Sequence, residues 1–281
     1  MKKYTSLISV ITLVLTFFWS YSDLIPSRSI NKVNSNTEFS IENALTHLKV
    51  ISKEPHYTGS PNHIIVQNYI VNELKKMGLN PKIQNQVAIS KWRSSTNTAN
   101  ITASIKGYED GKSLVLLSHY DSRHHSSLGA SDAGSGVVTI LEGVRAFLAK
   151  NKKPKNDIHI VFTDAEEIGL LGAQAFVNHS PLANNIGLVI NYEARGSGGP
   201  SYMLMETNGK NSQLLTEFIK AKPNYPAANS LMYSIYKMLP NDTDLTIFRE
   251  YGDINGLNFA FIGDHFDYHT EQDSFERLDI E

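Results

Sequence analysis

The chain lacks cysteine altogether. This absence excludes disulfide bonds, thiolate nucleophiles and cysteine-ligated zinc sites, so any bound metal must be held by histidine and carboxylate side chains. The chain also lacks an excess of either charge, because 26 basic and 28 acidic residues give a formal net charge of -2. Since no basic stripe stands out, a nucleic-acid partner is not expected.

Long apolar runs are absent outside the N-terminus. Residues 4–22 carry no charge and follow Lys2 and Lys3. About 20 apolar residues span a bilayer, so residues 1–22 are predicted to be a membrane anchor or a signal peptide, with retention as an anchor slightly favoured. Because the positive residues come first, the rest of the chain is expected on the far side of the membrane. The predicted location is therefore extracytoplasmic, either membrane-anchored or secreted.

The remaining chain alternates short apolar runs with amphipathic stretches. A segment rich in Ser and Asn at residues 23–40 predicts a linker, and residues 41–281 are long enough for one α/β domain. Strands are predicted at residues 100–105, 114–117, 158–163, 186–192, 202–205 and 257–262, and helices at 41–52, 61–77, 137–148, 170–178, 212–220 and 229–237. The second of these helices has one apolar face, formed by Ile64, Ile65, Tyr69, Ile70 and Leu74. This alternation predicts a three-layer α/β/α fold with a mixed, mostly parallel central sheet.

Four of the predicted strands lead into potential metal ligands. The first set is His119, Asp121 and Asp132, and the later sets are Glu166 with Glu167, then Glu193, then His265, Asp267 or His269. Ligands of open α/β sheets bind beyond the carboxyl ends of the strands, so these side chains are expected to converge. A single acid at a strand end is better explained as a helix cap, but the whole set favours a metal site.

The number of candidate ligands favours two metal ions. A catalytic zinc takes three protein ligands plus water, whereas two histidines and at least three carboxylates are on offer here. Two ions about 3.5–4 Å apart that share a bridging carboxylate would account for the additional candidate ligands. The imidazoles favour zinc, with cobalt or manganese as substitutes. One of the adjacent acids Glu166 and Glu167 is then free to act as a general base.

Other motifs are weaker. The glycine-rich segment GASDAGSG lacks the Lys-Ser/Thr of a phosphate-binding loop, and no Gly-x-Ser-x-Gly elbow of a serine hydrolase is present. His124 and His125 are interpreted as solvated loop residues rather than ligands.

Five motifs together resemble one family. HYDS, SDAGSGV, DAEEIGLLG, NYEARG and YHTEQDS occur in that order and are similar to the metal-site motifs of the co-catalytic zinc exopeptidases of metallopeptidase family 28. That family includes bacterial aminopeptidases, glutamate carboxypeptidase and the transferrin receptor. NYEARGSGG, LPNDTDLTIF and PHYTGSP are most similar to its membrane-tethered branch, the endoplasmic-reticulum and vacuolar membrane metallopeptidases. The resemblance covers roughly residues 41–279.

The resemblance implies the zinc-exopeptidase (phosphorylase/hydrolase-like) fold and two zinc ions per chain. The ligands it implies are His119 and Glu193 on one ion and Glu167 and His269 on the other, with Asp132 bridging the two.

The resemblance also implies roles for residues that do not bind metal. Asp121 is expected to orient a ligand histidine, Glu166 to act as general base, and Tyr268 to polarise the carbonyl group of the substrate. Twelve residues follow His269, fewer than relatives use for a terminal helix, so a C-terminal truncation is one expectation.

The function that the resemblance implies is that of a zinc-dependent exopeptidase, most simply an aminopeptidase that acts on peptide substrates. Three alternatives stay open: a glutaminyl cyclase-like enzyme, a carboxypeptidase-type enzyme and a non-catalytic receptor-like ectodomain. Arg195 is a candidate for binding a substrate carboxylate, which favours the carboxypeptidase, and Asp242 and Asp244 are candidates for lining the cleft. The sequence predicts no oligomeric state.

Overall fold

The computed structural model describes residues 2–24, 36–209, 211–223, 226–238 and 242–280. Most of the predicted linker at residues 23–40 lies outside these ranges. The N-terminal segment forms helix α1 (Lys2–Leu24), and within it Tyr4–Ser22 is long and apolar enough to cross a membrane, with none of it buried.

A mixed sheet organises the described residues after the linker. Its strands are β1 (Lys82–Ile89), β2 (Ser95–Ile105), β3 (Ser113–His119), β4 (Ile158–Thr163), β5 (Ile186–Ala194), β6 (Tyr202–Glu206) and β7 (Gly256–Phe261). They lie in the order β1-β2-β4-β3-β5-β7-β6. The central four strands, β4, β3, β5 and β7, are parallel, and the strands outside them pair antiparallel. The predicted mixed, mostly parallel sheet is confirmed.

Helices cover both faces of the sheet. They are α2 (Ile41–Ile51), α3 (Pro61–Lys76), α4 (Gly136–Ala149), α5 (Leu171–His179), α6 (Ser212–Ala221), α7 (Ser230–Met238) and α8 (Asp244–Gly252). Every predicted strand and helix is present, and the largest shift is at β2, which begins at Ser95. Strand β1 and helix α8 were not predicted.

Alternating side chains of the central strands build the two halves of the core. On β4, Ile160 and Phe162 pack with α2, α3 and α4 on one face of the sheet. Val115 and Leu117 of β3 point to the opposite face, where α5 and α8 cover them. All four side chains are fully buried, and burying each one contributes about 1.5–3 kcal/mol. The period-2 pattern of the strands thus produces the three layers.

Helix α3 buries only part of its predicted apolar face. Ile64 and Ile65 are exposed, whereas Val66, Ile70 and Leu74 are buried against α2 and the sheet. The helix begins at Pro61, with the hydroxyl of Ser60 accepting a hydrogen bond from the amide of His63. The prediction for Ile64 and Ile65 was wrong because hydrophobicity alone does not mark the buried face when polar residues are buried beside it.

Helix α5 approaches the end of β4 very closely at Gly172. A Cβ atom at this position would collide with the carbonyl oxygen of Asp164 and lie 2.6 Å from its amide nitrogen. The buried side chain of Asn100 joins the same two segments. Its Nδ2 donates to the Gly172 carbonyl oxygen at 2.8 Å, and its Oδ1 accepts from the Asp164 amide at 3.0 Å. The absence of a side chain at Gly172 therefore fixes where the turn after β4 lies.

Replacing Gly172 by alanine is expected to lower the free energy of unfolding by about 1–3 kcal/mol, because the new methyl group has to displace backbone. The matched control is Gly143→Ala in α4, where an added Cβ meets nothing within 4 Å. Since alanine is the better helix former, this control is expected to raise the free energy of unfolding by about 0.5–1 kcal/mol. Urea denaturation followed by circular dichroism measures both, and two effects of the same sign would contradict the close packing at Gly172.

Candidate metal centre

His119 is the last residue of β3 and points into the crevice at the carboxyl end of the parallel strands. Its Nδ1 lies 2.9 Å from the backbone carbonyl oxygen of Asp121, which can accept the proton of Nδ1. The lone pair of Nε2 then faces the carboxylates of Asp132 at 3.1 Å and Glu193 at 3.8 Å. This is the tautomer that a histidine needs to bind a metal through Nε2.

The carboxylate of Asp132 lies between two imidazoles. Its Oδ1 is 3.1 Å from Nε2 of His119, and its Oδ2 is 3.2 Å from Nε2 of His269. The residue sits in an irregular helical turn, Ala130–Ser135, where its own backbone leaves the helical region with φ -109° and ψ 96°. Because each oxygen faces a different histidine, Asp132 has the geometry of a bridging ligand.

Asp273 holds the turn that carries Asp132. Its Oδ1 accepts hydrogen bonds from the amide of Ser131 at 2.6 Å and the hydroxyl of Ser131 at 2.7 Å. Its Oδ2 accepts from the amide of Asp132 at 3.2 Å. Asp273 is fully buried, so these contacts are shielded from water. Sequence reasoning missed this residue, although it lies inside the quoted motif YHTEQDS.

The turn after β4 presents Glu166 and Glu167. It needs left-handed backbone at Ala165 (φ 58°) and Leu170 (φ 57°), conformations that cost free energy in non-glycine residues. The carboxylate of Asp121 stabilises the turn, because Oδ1 accepts from the amide of Glu166 at 3.1 Å and Oδ2 from the amide of Glu167 at 3.3 Å. The nearest approach of the Asp121 carboxylate to Nδ1 of His119 is longer, 3.6 Å. Asp121 thus positions the two glutamates as well as the histidine.

His269 completes the cluster from the segment after β7. Its Nε2 is 3.1 Å from Oε2 of Glu167, and its backbone is left-handed, with φ 62°. The neighbouring ring of Tyr268 stacks on its imidazole with centroids 3.6 Å apart. The other two residues considered for this position do not join the cluster, since His265 is exposed and Asp267 pairs with Arg277 at 2.9 Å.

Three groups of side chains bring their ligand atoms within 4.8 Å of one another. They are His119 with Asp132 and Glu193, Asp132 with Glu167 and His269, and His119 with Glu166 and Glu167. The first two groups share Asp132, so the arrangement is that of two adjacent ligand sets joined by one carboxylate.

The electrostatics of the cluster reflect many acids buried together. Burial raises the pKa of Glu193 to about 8 and of Glu167 to about 7, and it also raises the pKa of Glu166. Burial acts in the same direction on Asp132, but His119 and His269 outweigh it and hold the pKa of Asp132 below its usual range. Cations bound between these carboxylates would offset the free-energy cost of ionising them.

The donor set fits zinc. Two imidazole nitrogens and several carboxylate oxygens are the ligands that zinc takes when no thiolate is available. Among the described residues, Oε1 of Glu167 is buried and has no hydrogen-bond partner, and the buried Nε2 of His269 faces two carboxylate oxygens at 3.1 and 3.2 Å without a hydrogen bond of good geometry. Bound metal would satisfy these atoms, so the residues present fit the ion.

A cavity of about 540 Å³ opens beside the cluster. Its described walls include Glu166, Glu167, Tyr268, His269, Trp92, Arg123, His124 and Asp242. Asp244 is buried behind the site, where it accepts a hydrogen bond from the hydroxyl of Thr163. Arg195 is also buried, with its guanidinium 5.8 Å from the centre of the Tyr268 ring, and it is not part of the cavity wall.

The family model described as peptidase family M28 matches residues 100–281. Among curated proteins, the chain is similar to the vacuolar membrane protease of Candida dubliniensis, with 28% identity over 96% of this chain and 29% of that protein. Among solved structures, it is similar to a leucine aminopeptidase precursor from Bacteroides thetaiotaomicron, with a TM-score of 0.68 and 21% identity over 88% of this chain and 94% of that chain. A glutaminyl cyclase from Porphyromonas gingivalis has a TM-score of 0.70 and 22% identity over 88% of this chain and 94% of that chain.

These similarities confirm the predicted family and fold class. At such low identity the solved structures show the fold alone, and the family match carries the link to zinc peptidases. The chain spans about three tenths of the length of the curated relatives it matches.

Replacing Asp273 by asparagine is expected to weaken zinc binding about 10–100-fold, because the turn carrying Asp132 loses the charged acceptor that holds it. Glu271→Gln is the matched control, since Glu271 is exposed and only two residues away. Competition with a zinc-binding dye measures the affinity of each variant. Unchanged zinc affinity in a folded Asp273→Asn protein would contradict the positioning role.

Proposed function

The chain belongs to peptidase family M28, and on that premise we propose that it is a zinc-dependent exopeptidase that removes N-terminal residues from peptides. The observation that carries the proposal is the position of Asp132, with one carboxylate oxygen facing each of two histidines. A carboxylate placed in this way can bridge a pair of metal ions.

The proposed ligand sets follow from the distances. His119 and Glu193 would hold one zinc ion, Glu167 and His269 the other, and Asp132 both. Zinc bound there supplies a Lewis acid and lowers the pKa of a coordinated water toward neutrality.

Two residues of the cavity wall are left for proton transfer and charge stabilisation. The carboxylate of Glu166 would take a proton from the attacking water and return it to the nitrogen of the leaving amine. Burial raises the pKa of Glu166, which brings a carboxylate closer to the range that suits a general base at neutral pH. The Tyr268 hydroxyl would donate a hydrogen bond to the carbonyl oxygen as negative charge develops on it. Burial raises the pKa of Tyr268 as well, so the hydroxyl keeps the proton it has to donate.

The location proposed for the enzyme is extracytoplasmic and membrane-anchored. The support is helix α1, whose Tyr4–Ser22 portion is long enough to cross a bilayer, and the similarity to a vacuolar membrane protease. A secreted form after cleavage of the same segment is the alternative. The basic residues Lys2 and Lys3 precede the apolar run, which favours the cytoplasmic side for the N-terminus.

Glutaminyl cyclisation is the second candidate, favoured by the structural similarity to a glutaminyl cyclase. Enzymes of that kind resemble this family but generally use a single zinc. The two candidates differ in product and in metal content, because cyclisation gives a pyroglutamyl peptide and needs one ion. A receptor-like role without catalysis is less well supported, since the ligand atoms of each proposed set lie within 4.8 Å of one another.

Release of a chromogenic amine from aminoacyl substrates tests the proposal. The expected result is hydrolysis that a chelator abolishes and added zinc restores, with two zinc ions per chain by elemental analysis. Formation of pyroglutamyl product with one zinc per chain would favour the cyclase. A folded, zinc-loaded protein that performs neither reaction would contradict both enzymatic readings.

The role of Glu166 is tested by Glu166→Gln. This variant is expected to keep the zinc content of the wild type and to lose about 10²–10⁴-fold in kcat, because amide nitrogen cannot accept the proton of the water. Glu109→Gln, which changes an exposed acid, is the control. Loss of zinc, or retention of most turnover, in Glu166→Gln would rule out Glu166 as the general base.

A further inference from the structure

The cavity wall carries one cation that the proposed chemistry does not use. Arg123 lies in the loop after β3, and its side chain retains 35% of its accessible surface. Among the described residues that line the cavity, it is the only lysine or arginine. Of the two histidines there, His269 is a proposed metal ligand, and His124 has its pKa lowered by burial and by the charge of Arg123. Arg123 is therefore the permanent positive charge that a substrate meets in this cavity.

One end of the Arg123 guanidinium is already engaged. Nη1 donates to the backbone carbonyl oxygen of Glu167 at 2.6 Å and lies 3.4 Å from Oε2 of the same residue. Among the described residues, Nε and Nη2 have no such contact. A guanidinium grips a carboxylate through two parallel N–H groups, and the edge formed by Nε and Nη2 offers such a pair. The hydrogen bond from Nη1 fixes the guanidinium, and the edge formed by Nε and Nη2 remains available to a ligand.

The position of Arg123 sets which part of a substrate it can meet. It lies directly beside the candidate metal ligands, because Oε2 of Glu167 is 3.4 Å from Nη1 of Arg123 and 3.1 Å from Nε2 of His269. Successive residues of a peptide are spaced by about 3.8 Å. If the scissile carbonyl of a substrate lies at the ligand cluster, the next residue of the substrate lies at a similar distance from the cluster as Arg123 does.

The remaining acid near the mouth of the cavity does not compete for Arg123. Asp242 pairs with Lys91, with 2.7 Å between Oδ2 and Nζ. Arg195, the residue that the sequence suggested for carboxylate binding, is buried behind Tyr268 and outside the cavity wall. Among the described residues of the cavity wall, Arg123 is therefore the lysine or arginine that an anionic group on the substrate can meet.

We propose that Arg123 binds a carboxylate on the residue that follows the scissile bond. The inference rests on the proposed peptidase function and narrows its substrates to short peptides with a negative charge at that position. Two sources supply this chemistry: the C-terminal carboxylate of a dipeptide, and the side chain of an aspartate or glutamate. With either carboxylate, the guanidinium of Arg123 forms a charge-assisted ion pair in a partly enclosed site.

Three substrates separate the sources. Ala-Ala has a free C-terminal carboxylate, Ala-Glu-amide has only a side-chain carboxylate, and Ala-Ala-amide has neither. A charge-assisted hydrogen bond of about 1.5–3 kcal/mol corresponds to roughly a 10–150-fold preference in kcat/KM over Ala-Ala-amide. The wild type is expected to show this preference for at least one of the two acids, and the favoured acid identifies the source.

Arg123→Gln is the main variant, since glutamine can still donate to the Glu167 carbonyl oxygen but carries no charge. It is expected to reduce the acid-to-amide ratio of kcat/KM to about 1–3, chiefly by raising KM for the acid. Arg123→Lys is expected to keep an intermediate ratio, because lysine has the positive charge but not the pair of parallel N–H groups. The control is Arg93→Gln, an exposed arginine outside the cavity wall, which should leave the ratio unchanged.

Two outcomes overturn the proposal. One is a wild-type ratio near 1 for both acids. The other is an equal loss on acid and amide substrates in Arg123→Gln, which would mean that Arg123 acts only by holding Glu167.

A binding measurement keeps this inference separate from the proposed function. Calorimetry with zinc-loaded Glu166→Gln compares the affinities for Ala-Ala, Ala-Glu-amide and Ala-Ala-amide without turnover. A preference for an acid that disappears in the Glu166→Gln, Arg123→Gln double variant supports carboxylate binding even if the wild type hydrolyses nothing, in which case the peptidase proposal alone fails. Equal affinities for all three peptides overturn the role of Arg123 whatever the activity.

Discussion

The carboxylate of Asp132, shared between His119 and His269, is the interaction on which the rest of the site depends. Each histidine comes from a different strand end, and only a group with two oxygens can face both at 3.1 and 3.2 Å. Around this carboxylate the fold buries further acids, which is costly without compensating positive charge. The raised pKa values of Glu167 and Glu193 express that cost. Bound zinc would supply that compensation, because this set of donors fits it.

Buried residues around the cluster form hydrogen bonds to the backbone that carries the candidate ligands, and not only to their side chains. Asp273 binds the amides of Ser131 and Asp132, and Asp121 binds the amides of Glu166 and Glu167. Two buried carboxylates thus fix the two turns that carry Asp132, Glu166 and Glu167. These hydrogen bonds explain how loops of small residues, some of them with left-handed backbone, hold the candidate ligands in a defined arrangement. Rigid strands supply the positions, and buried acids supply the orientation of the turns between them.

The sequence was sufficient to predict most of the fold and the convergence of the ligands. Apolar runs ending in His119, Glu166 and Glu193 identify parallel strands, and parallel strands end at one edge of a sheet. Strand β1 escaped detection because an edge strand with one solvated face, KIQNQVAI, has few apolar residues. Helix α8 escaped because its capping box joins the N-cap residue Thr243 to Thr246, where the usual sequence signal is a glutamate.

Contacts between segments that are far apart along the chain could not be predicted from the sequence. The partners of Asp273 lie more than 140 positions away along the chain, so no local pattern reveals them. The sequence suggested Arg195 for carboxylate binding and did not single out Arg123, because only the packing shows which arginine lines the cavity. One is buried under Tyr268 and the other is on the cavity wall. The burial of Val66 rather than Ile65 on α3 likewise depends on what the helix packs against.

Anomalous diffraction at the zinc absorption edge, on crystals of the zinc-loaded protein, tests the central claim most directly. The account predicts two peaks about 3.5–4 Å apart, one on each side of the Asp132 carboxylate. A single peak, or two peaks that Asp132 does not join, would contradict it.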